Sequence, residues 1–205
     1  KKAGTATVTI KGIGYFRGTL TVTFQILPAS DKPQNNTSKT IRDAYNVYTI
    51  NATGSTVTLK NPRSRNTTTA RIPASVKANG KTYKVTSIAS GAFKNCKKLK
   101  QVTIGENISK IGSYAFQDCT ALRTLKIGSK VSSVGTKAFY NCKALTSVTI
   151  RSTRLTSMTA GKNAFTNAGR NNYKKLTVKV PGSKLATYKK ILKSSGLSSK
   201  AKVSK

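Results

Sequence analysis

Residues 88–104 read IASGAFKNCKKLKQVTI, residues 111–127 read IGSYAFQDCTALRTLKI and residues 134–150 read VGTKAFYNCKALTSVTI. The same residue types recur together in register: Ala92-Phe93, Ala115-Phe116 and Ala138-Phe139, then Cys96, Cys119 and Cys142, then Leu99, Leu122 and Leu145. Both the cysteines and the phenylalanines return every 23 residues. A fixed period between about 20 and 50 residues is the mark of a stacked-repeat architecture, because one unit alone cannot bury its apolar face.

Each unit begins on an aliphatic residue (Val85, Ile108, Val131) and ends on a pair such as Val102 and Ile104. That pair alternates with Gln101 and Thr103, the period-2 pattern of a short strand with one face inward. The preceding stretch, Ile88 to Leu99, leaves room for a helical turn or two. Its Phe is the main core filler. A fourth unit, with Leu155, Met158, Ala164-Phe165, Leu176, Val178 and Val180, carries short insertions and has Ala168 where Cys would stand. Upstream, Arg71-Ile72-Pro73 closes a strand-like run, and the turn Asn79-Gly80-Lys81 leads into Tyr83-Lys84-Val85, a degenerate first unit. Irregular units at both ends are what capping repeats look like.

The pattern Ile-x-x-x-Ala-Phe-x-Asn-Cys-x-x-Leu-x-x-Val-x-Ile resembles the BspA-like (Treponema pallidum-type) leucine-rich repeats of bacterial surface proteins. It covers Ile72 to Val180 in three good copies and two degraded ones. The resemblance implies a strand-dominated α/β fold: a right-handed, curved leucine-rich-repeat solenoid with coils of about 23 residues. It also implies an extracellular, cell-surface or cell-wall-associated protein that binds host proteins or other cells, without naming a ligand.

The rest of the chain is read around that array. Residues 1–27 hold two runs alternating Thr with apolar residues, 5–11 and 19–26, joined through Gly12-Ile13-Gly14 and Tyr15-Phe16. They read as a β-hairpin that resembles the end of a bacterial immunoglobulin-like module. Residues 28–40, rich in Pro, Asn, Ser and Lys, read as a linker, and 41–84 as an N-terminal cap with strands near Tyr45–Ile50 and Thr56–Leu59. The repeats occupy 85–180. In 181–205, Leu185, Tyr188, Ile191 and Leu192 form a helical stripe, with Ser183 as N-cap and Gly196 as stop. This predicts a C-terminal capping helix, followed by a mobile tail at Ser198 to Lys205 or a lead into a further domain. The start, Lys1-Lys2-Ala3-Gly4, reads as the edge of a piece of something longer.

Composition argues against catalysis. The 205 residues hold 38 Lys+Arg, 4 Asp+Glu and no His, a net charge of +34. With Asp31, Asp43, Glu106 and Asp118 as the sole carboxylates, paired-carboxylate hydrolysis, imidazole acid/base chemistry and most metal sites lack raw material. Only Lys could activate a Ser, Thr or Cys nucleophile, and no particular pair stands out. No cofactor and no metal is expected. Cys96, Cys119 and Cys142 occur once per unit rather than in close pairs, which suits buried packing better than metal binding. Neighbouring strands lie about 4.8 Å apart, within the Cα range for a disulfide of about 4.4–6.8 Å, so distance permits a bridge while parallel stacking disfavours it.

A chain this basic adheres to polyanions at low salt. Its lysines spread through every segment, however, and Phe93, Phe116, Phe139 and Phe165 are committed to the core ladder, so no specific nucleic acid is expected. The ligand-facing candidates are the outward residues of the repeat strands: Gln101, Thr103, Thr124, Lys126, Ser147, Thr149, Lys175, Thr177 and Lys179. They form either a concave binding face or a merely solvated one. The expected partners are a protein or glycan on a host or neighbouring cell, or an anionic wall polymer, met by a monomer with no transmembrane segment.

Overall fold

The computed structural model describes the backbone of Gly4–Lys11 and Thr19–Ile26, and residues 40–156 and 159–205 in full. The chain divides into two units, Lys1–Ser38 and Lys39–Lys205. In the first, β1 (Gly4–Lys11) pairs antiparallel with β2 (Thr19–Ile26), from Gly4 opposite Ile26 to Lys11 opposite Thr19. The predicted connection through Gly12 to Phe16, the linker up to residue 39 and Met158 lie outside the described residues.

The second unit opens with β3 (Thr40–Arg42), β4 (Asn46–Ile50), β5 (Thr56–Pro62), β6 (Thr69–Ile72), β7 (Ser75–Ala78) and β8 (Lys81–Ile88). It continues through β9 (Gln101–Ile104), β10 (Lys110–Ile111), β11 (Thr124–Ile127), β12 (Ser133–Val134) and β13 (Ser147–Ile150). It closes with β14 (Thr177–Lys179), α1 (Leu185–Ser194) and β15 (Lys202–Ser204). One six-stranded sheet runs β15-β14-β13-β11-β9-β6, every neighbour parallel. A second, seven-stranded sheet runs β12-β10-β8-β5-β4-β3, with β7 hairpinned onto β8 across the Asn79-Gly80 turn. The fold is thus strand-dominated α/β.

The repeat is written directly into the pairing: Gln101 faces Thr124, which faces Ser147, and Lys110 faces Ser133, each partner 23 residues on. Sequence alternation indicates the first of these ladders. The second is formed by strands of two residues, too short to leave a periodic trace. Between the ladders, residues 89–100 make turns rather than a helix. Their backbone groups bond from one repeat to the next: Phe93 N–H donates to Ala115 C=O at 2.7 Å, Phe116 to Ala138 at 2.8 Å and Phe139 to Ala164 at 2.8 Å. This stacking satisfies groups that a helix would have satisfied internally.

Two features let the turns come this close. Asn95, Asp118, Asn141 and Asn167 all adopt left-handed backbone, φ 62, 58, 63 and 60°, a region that short polar side chains tolerate. Their side chains also link up: Asn141 Nδ2 donates to Asp118 Oδ1 at 2.8 Å and Asn167 Nδ2 to Asn141 Oδ1 at 3.1 Å. Gly135 then presses on the preceding repeat so tightly that a Cβ there would lie 2.3 Å from Ser113 N.

The core lies between the two ladders. Phe93, Phe116, Phe139 and Phe165 stack with ring centroids 5.0, 5.3 and 5.2 Å apart. Cys96, Cys119 and Cys142 are buried and unbridged. The cysteines do more than fill space: Cys119 Sγ donates to Phe93 C=O at 3.2 Å and Cys142 Sγ to Phe116 C=O at 3.3 Å, the thiol serving as a second, weak donor to carbonyls that already accept Cys96 N–H and Cys119 N–H within their own turns.

Two expectations at the C-terminal end need correction. Ser183 does not cap α1; a short 3-10 turn, Gly182–Lys184, leads in, and the N-cap Lys184 makes no side-chain bond. Ser198 to Lys205 is not a mobile tail either, because Lys202–Ser204 adds to β14 as a parallel strand. Gly196, at φ 88°, does end the helix, with Gly196 N–H bonded to Lys193 C=O and Leu197 N–H to Leu192 C=O.

Candidate interaction surface

Strand alternation sends Val102, Ile104 and their equivalents inward and leaves two outward rows on the six-stranded sheet. The pairing register aligns Thr69, Gln101, Thr124, Ser147, Thr177 and Lys202 in one row. Arg71, Thr103, Lys126, Thr149, Lys179 and Ser204 form the other. Gln101, Thr103, Lys126 and Lys179 are exposed, while Thr124, Ser147, Thr149 and Thr177 are half-buried by their neighbours. Lys175 does not belong to this face: it ends a 3-10 segment, Arg170–Lys175, before β14 begins. The fourth unit's insertion shifts the strand start past it. Arg71 and Lys202 extend the face at its two ends, and alternation at Thr69-Ala-Arg-Ile carried the signal for Arg71.

The second row places Arg71, Lys126 and Lys179 on alternate strands, about 9.6 Å apart at two strand spacings. No carboxylate stands in either row. Glu106 sits beyond the strand end instead, accepting from Ser129 N at 2.8 Å and Ser129 Oγ at 2.6 Å, with Arg151 Nη1 2.8 Å away. Those hydrogen bonds from Ser129 hold its carboxyl below the usual range, the Arg151 and Lys130 charges adding to them. Among the described residues no group of His, Cys, Asp or Glu side chains could hold a metal ion, and no helix is long and apolar enough to cross a membrane.

On the turn side, Lys94 lies over the Tyr114 ring at 5.9 Å and Lys137 over the Tyr140 ring at 5.4 Å. At the N-terminal end a cavity of about 380 Å³ is lined by Tyr45, Pro62, Arg63, Thr69, Ala70, Arg71 and Phe93, among others. Nothing periodic marks Tyr45 or Arg63, so neither was legible as a site residue.

Parallel strands stacked repeat upon repeat, with turns bonded between them and one face left open, define a leucine-rich-repeat protein. The chain belongs to the BspA type Leucine rich repeat region family, whose pattern matches residues 66–188 in six copies, one more than the five units read from the sequence. No curated protein matches the chain. Among solved structures it is similar to a leucine rich cell surface protein from Faecalibacterium prausnitzii, at 27% identity and a TM-score of 0.52, over 75% of this chain. The chain spans 38% of that protein's length. It shares its fold with a leucine rich repeat protein of T. pallidum, at 16% identity and a TM-score of 0.52, over 70% of this chain and 72% of that one.

Proposed function

We propose that the chain is a non-catalytic interaction module displayed outside a bacterial cell, binding a host, neighbouring-cell or wall component across the outward rows of the six-stranded sheet. The observation that carries this reading is the acid-free face with cations on every second strand, held on a rigid ladder. In this reading the repeats at 85–180 wind as a right-handed solenoid with coils of about 23 residues. Residues 41–84 and 181–205 close its ends, and 1–27 is a partial immunoglobulin-like hairpin tethered through the linker 28–40. The similarity to a Faecalibacterium cell surface protein supports the location. Gln101, Thr103, Thr124, Lys126, Ser147, Thr149, Thr177 and Lys179 would make distributed contacts, with the wider lysine coat supplying long-range attraction.

A second reading, an accessory module holding anionic wall polymer or glycan beside a catalytic domain, is favoured by the net charge of +34. One measurement separates the two. Binding of the purified chain to immobilised teichoic acid and to host matrix proteins is compared at about 50 and 200 mM salt, where a polyanion contact weakens by orders of magnitude. A shape-complementary contact survives. In either case the Lys126→Glu/Lys179→Glu double variant is expected to weaken binding about tenfold or more; unchanged binding would remove the sheet face from the mechanism.

A further inference from the structure

The two sheets end out of step at the N-terminal side. Beyond β8 the seven-stranded sheet continues through β5, β4 and β3, whereas beyond β9 the six-stranded sheet has only β6 and then stops. Among the described residues β6 therefore has an open edge. Thr68 C=O accepts from Lys100 N–H and Gln101 N–H, so by alternation positions 68, 70 and 72 address β9. Thr69 and Arg71 turn their backbone N–H and C=O groups the other way. Among the described residues only the Thr69 carbonyl on that side is engaged, by the Thr67 hydroxyl at 2.8 Å. An unpaired strand edge is a template for another strand.

The cavity lies against this same strand, with Thr69, Ala70 and Arg71 in its wall. Its origin is legible in the repeat. In the next unit the segment between the ladders runs from Ile88 to Gln101 and carries Phe93 and Cys96, whereas the equivalent segment from Leu59 to Thr69 is three residues shorter, by the paired positions, and holds neither aromatic nor thiol. Phe93 is thus the first ring of the stack; it is fully buried, with Pro62 and Ala70 buried beside it, and the cavity lies on the outer side of these residues.

The rim is aromatic and cationic. Tyr45 is 78% exposed, a large exposure for a side chain with no partner in the core. Arg63 and Arg71 stand beside it. Among the described residues the nearby carboxylate, Asp43, is taken up in shaping the loop: it accepts from Tyr45 N at 2.7 Å, Asn46 N at 2.6 Å and Tyr48 Oη at 2.6 Å. The volume falls within the range of ligand pockets, about 300–1,000 Å³.

We propose that the cavity and the open edge of β6 form a docking site for an extended acidic peptide, which adds as a strand to β6 and seats one aromatic side chain in the cavity beside Tyr45. Strand addition supplies main-chain bonds and the pocket supplies selectivity. Acidic side chains on the peptide's outward face meet Arg71 and Arg63. A second copy of the chain is a poor occupant, since each copy carries +34. The proposal rests on the interaction-module reading and gives it a second, distinct contact.

The test uses the whole chain and the fluorescent nonapeptide Thr-Glu-Thr-Glu-Phe-Glu-Thr-Glu-Thr at about 0.15 M salt, where screening acts within about 8 Å. Saturable binding is expected, at least about tenfold weaker when Ala replaces the peptide's Phe, and weakened similarly by Arg71→Glu, an exposed position. N-methylation beside the Phe should abolish binding, and the amide signals of Thr69 and Arg71 should shift on titration. Equal binding of the Phe and Ala peptides would overturn the site and leave charge adhesion alone. So would concentration-dependent self-association lost in Tyr45→Ala, which makes the occupant a second copy. Retained binding to wall polymer or matrix protein with a silent peptide sinks only this site; loss of both sinks the module reading beneath it.

Discussion

Cys119 and Cys142 illustrate how a single repeated residue serves the stack. Each is fully buried, and each donates its thiol hydrogen to the carbonyl of a Phe in the preceding repeat. Burial pushes both thiols up from their ordinary value, and the neighbouring thiol of the preceding repeat adds to the effect. Cys96 is also raised by burial, with Arg65 opposing it. The folded chain therefore keeps its thiol protons to a pH at which the unfolded chain releases them, near 8.5. The stabilisation is full below that pH and is lost as pH rises through it toward the folded value, by up to about 1.4 kcal/mol per pH unit for each thiol. Urea midpoints are expected to fall between about pH 8 and 9.5, and replacing all three cysteines by Ala should remove most of that slope. Ala168 at the equivalent fourth position shows that Ala fits there. Equal slopes in the two proteins would mean that the thiols ionise within the fold.

At the scale of elements, α1 stands in for a missing repeat. Phe165 N–H donates to Ser195 C=O at 2.9 Å, the bond that the next unit's Ala carbonyl would otherwise accept. Tyr188, fully buried on the same helix, donates to Ser152 C=O at 2.7 Å and accepts from Leu155 N–H at 3.3 Å. Tyr188→Phe would keep the packing and orphan both backbone groups. It is expected to cost about 1–3 kcal/mol, read as a lowered urea midpoint together with faster hydrogen exchange at Leu155. An unchanged Leu155 amide would show that the ring alone fastens the helix. The apolar stripe Tyr188, Ile191, Leu192 made this helix legible in the sequence, as alternation did for β9, β11 and β13, because each of those patterns faces a core. β15 was not legible: Lys202-Val203-Ser204 holds one apolar residue among Lys and Ser, too few for a period. Lys175 was misplaced on the sheet face because the fourth unit's insertions break the count, and the cavity at Tyr45 and Arg63 arises where the repeat is absent.

At the scale of the whole molecule, the charge works against the fold and for its contacts. Among the described residues one ion pair is present, Arg151 with Glu106, and both side chains are largely exposed, a geometry worth little. Opposing it is a net charge of +34 over 205 residues, whose mutual repulsion disfavours the compact state. Added salt shortens the reach of that repulsion from about 30 Å at 0.01 M to about 8 Å at 0.15 M, while the neutral core of stacked rings and thiols does not respond. The Tm should therefore rise with NaCl by at least a few degrees, each kcal/mol being worth about 2–4 °C for a chain of about this size. A fold held by ion pairs would lose stability instead. The same screening weakens any contact with a polyanion, so one NaCl titration followed by both thermal melting and polymer binding should give curves that move in opposite directions. If both fell together, the lysines would be paired within the fold rather than directed outward, and neither the self-repulsion nor the long-range attraction argued from them would stand.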